Sequence, residues 1–129
     1  MVSRAIRVTA FLCGCVLAGS VLAVNSDAAT VLEALNLAMP AKLSVSEQFV
    51  KNGKWVEDNA AAGLEQESSG PISINVSSGG LITVTFNSPT DLAGKAIVLT
   101  PSDGGHGQVN WTCKASDAFP TGALPKECQ

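Results

Sequence analysis

The chain has 129 residues, eight basic and eleven acidic side chains, a formal net charge of −3, and few aromatic rings: two tryptophans, four phenylalanines and no tyrosine. An acidic surface repels phosphate backbones, and so few rings make a thin stacking platform for single strands, so nucleic acid is set aside as a partner. One histidine, His106, with no nucleophile motif beside it leaves no catalytic constellation, and no metal or other cofactor is expected.

The chain opens MVSRAIR, followed by VTAFLCGCVLAGSVLAV. Arg4 and Arg7 precede a run without charge, the order of the basic and apolar regions of a secretory signal. Val21-Leu22-Ala23 fits the small-x-small rule for cleavage and makes Val24 the first mature residue. Ser26-Asp27-Ala28 offers a later site, as far as residue 28. The seventeen residues from Val8 to Val24 also reach the lower limit of a membrane span, and Leu12-Cys13-Gly14-Cys15 loosely resembles a lipoprotein box. All three readings send the rest of the chain across a membrane.

Removing residues 1–23 leaves 106 residues, one small domain, with six basic and eleven acidic side chains and a formal charge of −5. It also removes Cys13 and Cys15. Cys113 and Cys128 then remain as one pair in a compartment where disulfides persist. Closing a loop of that size stabilises a fold by about 3 kcal/mol. No second apolar span follows, so the mature domain is expected to be soluble.

From Ala28 to Asn52 the pattern is helical. Leu32, Leu35, Met39, Leu43 and Val50 recur at spacings that draw one apolar stripe, expected to face the core. Glu33, Asn36, Lys42, Glu47 and Lys51 lie mostly off it. Pro40 removes a backbone donor and predicts a kink or short break, and Asn52-Gly53 is a C-terminal stop. Residues 54–71 lack periodicity and read as a loop with a helical turn near Ala60 to Ala62.

After that loop the period falls to two. Ile72, Ile74 and Val76 alternate with polar residues, Ser77-Ser78-Gly79-Gly80 turns, and Ile82, Val84 and Phe86 alternate again, which predicts a hairpin. A third strand is expected over Ala96 to Thr100 and a fourth over Gln108 to Thr112, separated by the glycine-rich Ser102 to Gly107. The predicted class is α+β: one long N-terminal helix packed on a four-stranded antiparallel sheet, ending in a disulfide-closed loop. His106 is expected in an exposed turn. Glu57 and Asp58 should face water, and Asp103-Gly104-Gly105 lacks the ligand spacing of a calcium or phosphate loop.

Four stretches taken in order resemble the globular domain of type IV pilins of the short-leader class. EALNLAMPAKLSVSEQFVKNGKW (33–55) resembles the C-terminal half of the pilin helix, and DNAAAGL (58–64) the loop after it. LAGKAIVLTPS (92–102) resembles a late strand, and VNWTCKASDAFPTGALPKEC (109–128) the closing disulfide loop. The resemblance covers nearly all of residues 28–129. It implies that the loop from Cys113 to Cys128 is a pinned, partly exposed ridge suited to contact, with Lys114, Phe119, Pro120, Leu124, Pro125 and Lys126 as its contact residues. Pro120 and Pro125 restrict that segment and lower the freedom lost on binding.

One departure bears on function. A pilin's long apolar helix carries a glutamate five residues after a leader glycine; here those positions after Gly14 and Gly19 are Gly19 and Val24, and no acid precedes Asp27. The sequence therefore resembles the secreted half of a split pilin. That resemblance implies a non-enzymatic structural subunit of a type IV pilus, paired with a separate short helical pilin and with other subunits, cell adhesion being one role. The partner helix is expected at the start of this chain's helix, around Ala28 to Leu35, or on a strand edge. The expected route is export to the periplasm and then display in the pilus. The alternative is a soluble periplasmic protein on the same scaffold, an assembly chaperone or ligand-binding module that never enters filaments.

Overall fold

A computed structural model of the chain describes residues 26–65, 70–88 and 90–129. The signal segment 1–23, with Cys13, Cys15 and the cleavage site after Ala23, lies outside the described residues. The second candidate site, Ser26-Asp27-Ala28, falls in the first turn of a helix.

Two collinear helical segments come first, α1 (Ser26–Leu37) and α2 (Met39–Asn52). The break between them is one residue long. Ala38 still donates to the Ala34 carbonyl at 3.1 Å, and Lys42 to the Ala38 carbonyl at 3.0 Å. Pro40 has no N–H to donate, and it sits in the first turn of α2, where a missing donor costs least. Gly53 then takes a left-handed φ of 68° and donates to the Phe49 carbonyl at 2.7 Å, ending the helix at the predicted stop.

Four strands follow: β1 (Ile72–Ser77), β2 (Leu81–Phe86), β3 (Ala96–Gly105) and β4 (Gln108–Ala115). They pair antiparallel in chain order, β1-β2-β3-β4, so β1 and β4 are the edges. Register puts Ile74 opposite Val84, Ile82 opposite Leu99, and Leu99 opposite Cys113. One face is therefore apolar throughout, as a period of two requires. β3 and β4 run several residues beyond the predicted strands. The glycine-rich stretch is itself the end of a hairpin: Gly105 pairs with Gln108, and His106 and Gly107 take φ of 54° and 75° in a two-residue turn. A register shift between Asp103 and Gly105 marks a bulge there. His106 is exposed, as expected.

The helix lies on the apolar sheet face, but not by the predicted stripe. Val31, Ala34, Ala38, Ala41 and Val45 are the buried positions; Leu32, Met39, Leu43 and Val50 point outward and are each more than half exposed. Of the predicted stripe only Leu35 packs against the core. The reason is distance. Alanines at three successive contact positions let the helix backbone approach the sheet closely, while leucines would hold it away. Gly80, in the β1–β2 turn, confirms the tight fit, since a Cβ there would stand 3.0 Å from a Val45 methyl carbon.

The loop after the helix is tied down by polar contacts. The Ser44 hydroxyl donates to the Ala62 carbonyl, and the Val76 N–H donates to Asn59 Oδ1 at 2.5 Å. Residues 59–63 form a turn around the expected Ala60 to Ala62, with the Leu64 N–H bonded to the Asn59 carbonyl at 2.8 Å. Phe49 stacks on Trp55 at 3.8 Å between centroids and closes the far end of the core. Among the described residues no helix is long and apolar enough to cross a membrane.

Candidate interaction surface

The C-terminal loop is built on β4. Cys113 sits on the inward face of that strand and is disulfide-bonded to Cys128, with the two Cα atoms 4.5 Å apart. A short 3₁₀ turn, η1 (Lys126–Cys128), delivers Cys128 to a position that is 2% exposed. Ala123 is equally buried. The loop is thus seated at three points and does not hang free.

The predicted contact residues divide between seat and surface. Phe119 is half-buried and meets Phe86 edge to face at 5.8 Å, and Leu124 also packs on the core. Pro125 is half-buried, while Lys114, Pro120 and Lys126 are exposed. Lys95, which carried no signal in the sequence, clamps the loop from β3's side. Its Nζ donates to the Ala118 carbonyl at 2.6 Å and lies 5.9 Å from the Phe119 ring centroid.

Between the helix and this loop runs a shallow groove of about 280 Å³, lined by Leu35, Met39, Trp111, Cys113 and Pro125 among others. Lys42 Nζ stands 5.6 Å from the Trp111 ring centroid, and Glu127 also lines the groove. Such a groove can hold apolar groups. It holds no nucleophile, base or pair of carboxylates arranged for chemistry. Among the described residues no three of His, Cys, Asp and Glu gather as a metal site. The carboxylates that the sequence made conspicuous are committed to turns: Asp103 accepts from the Gly105 N–H at 2.8 Å, Asp58 from the Ala61 N–H at 2.7 Å, and Glu57 from the Ser78 hydroxyl at 2.7 Å.

The second feature is the outer face of the helix. Leu32, Met39, Leu43 and Val50 are 53, 54, 62 and 56% exposed. At about 100° per residue their stripe centres roughly 140° around the axis from the buried one. The stripe is apolar and exposed, and its Met39 also lines the groove beside Trp111. The sequence carries this stripe openly, but side-chain size alone points its residues toward the core.

Residues 29–129 match the Pilin family, described as a bacterial filament protein. No curated protein matches the chain.

Proposed function

The chain belongs to the pilin family, and from that premise we propose that it is a non-enzymatic subunit of a type IV pilus, joined to a separate short helical pilin and displayed at the cell surface. The observation that carries this reading is the family match across residues 29–129, which takes in all of the described domain except its first three residues. Pairing with a separate helix is supported by the stretch before Asp27, which holds no acid where the family's filament helix carries its glutamate. The head of α1 suits the junction, since Ser26 and Ala29 are exposed there.

The loop from Cys113 to Cys128 is the surface we assign to contact beyond the domain, adhesion included. Its seat on Phe86 and the core fixes its shape before any partner arrives, so little freedom is lost on binding. Lys114, Pro120 and Lys126 are the side chains it presents.

Co-purification tests the assignment. Filaments sheared from cells should contain this chain together with a short apolar partner, and antibody against the domain should label them along their length. Filaments free of the chain, with all of it in the periplasmic fraction, would remove the reading in favour of an assembly chaperone or ligand-binding protein.

A further inference from the structure

We infer that Asn52-Gly53, the stop of α2, is a site of spontaneous deamidation that the folded helix end holds in check and whose product releases the corner around Trp55. Asn52 is the one asparagine in the chain that precedes a glycine. Glycine has no Cβ to shield its backbone nitrogen, so that nitrogen can reach the side-chain amide before it. Both residues are exposed. The space around Gly53 is open, with nothing within 4 Å of where a Cβ would stand, so a ring can close there without a clash.

The only reagent required is water. The Gly53 nitrogen gives up its proton and attacks Asn52 Cγ. A C–N bond forms, the bond from Cγ to Nδ2 breaks, and ammonia leaves with the proton, which closes a succinimide. Water then adds to either ring carbonyl. One opening gives aspartate. The other gives isoaspartate, in which the main chain runs through the side-chain carbons. No oxidant or reductant takes part.

The folded helix opposes the attack. The Gly53 N–H donates to the Phe49 carbonyl at 2.7 Å, which turns the nucleophile back along the helix. Asn52 Nδ2 donates to Gln48 Oε1 at 3.1 Å, which draws the side chain the same way. Reaction therefore waits on opening of the last turn, the part of a helix that frays first. The product does not restore the cap. A carboxylate at residue 52 meets the negative end of the helix dipole, and isoaspartate lengthens the main chain just before Gly53. Phe49 supplies both the cap's acceptor and the ring on which Trp55 stacks, at 3.8 Å between centroids. Val56, next in the chain, accepts from the Gly80 N–H at 2.9 Å. One altered residue thus loosens the corner where the helix meets the β1–β2 turn, whether or not the chain enters filaments.

The test is peptide mass mapping of the purified chain, in the form that cells export, held at neutral and at mildly alkaline pH, both folded and in guanidinium chloride. In denaturant Asn52 should be the first asparagine converted, to both isomers, and faster at the higher pH because the attacking nitrogen must lose its proton. In the folded chain its conversion should be slower by about tenfold or more, the cost of opening the turn. A Trp111→Phe background leaves Trp55 as the sole tryptophan. As the folded chain converts, Trp55 emission should move to the red and the unfolding midpoint should fall, while Asn52→Gln incubated alongside keeps both. Asn52 intact in denaturant, or converted no faster than Asn110, overturns the inference. So does equal conversion in the folded and unfolded chain, which would mean that the helix end restrains nothing. Converted chain with unchanged Trp55 emission and midpoint overturns it too.

Discussion

Substituting the two neighbours Leu43 and Val45 measures which side of the helix the sheet holds. Val45 is fully buried, against the Gly80 turn, and Leu43 is 62% exposed. Val45→Ala removes two methyl groups from water-free packing, about 1.6 kcal/mol at roughly 0.8 each. The space they leave adds about 1 kcal/mol more if the helix cannot collapse onto it. The total, about 2.5 kcal/mol, is a large share of what a domain this size has, and at roughly 4–8 °C per kcal/mol it lowers the melting midpoint by about 10–20 °C. Leu43→Gln keeps a good helix former at an exposed position, so its cost should stay within about 0.5 kcal/mol. Urea unfolding followed by tryptophan fluorescence, in dilute solution, reads both. If Leu43→Gln proves as costly as Val45→Ala, the helix is rotated from the position described here and the argument for an outer stripe fails.

Two further outcomes follow from the same packing. Gly79→Ala makes only an ordinary contact, 3.8 Å from Leu81 Cδ1, and should cost only the strain of a positive φ, about 1–2 kcal/mol, whereas Gly80→Ala adds contacts at 3.0, 3.2 and 3.3 Å with Val45, Pro101 and Trp55 and should cost at least about 1 kcal/mol more. Equal urea midpoints for the two variants would show that the helix does not rest on the turn. Cys128→Ser should lose about 3 kcal/mol and speed proteolysis within residues 116–127; unchanged cleavage would mean that Phe119, Leu124 and Lys95 seat the loop unaided.

Much of this architecture could be read from residue order. Alternation of Ile72, Ile74, Val76 and of Ile82, Val84, Phe86 forces one sheet face to be apolar, and Gly53 stops the helix where glycine's left-handed freedom is needed. The cysteine pair closes the loop as expected. The helix face was misjudged because a stripe of large residues outweighs one of alanines in any reading by hydrophobic size. Close approach to a sheet favours the small ones, and nothing within the helix itself states how near the sheet will come. The length of β3 and β4 was hidden for a similar reason: Asp103, Gly104 and Gly105 look like loop residues, yet they pair because a bulge and a two-residue turn at His106-Gly107 accommodate them. Lys95 gave no sign at all, since its partner carbonyl at Ala118 is 23 residues away.

Because each strand bonds only to its neighbours in the chain, the sheet grows by short-range closures, each hairpin building on the last. The thiols are therefore brought face to face by finished secondary structure, and oxidation comes as a final lock on a head already assembled.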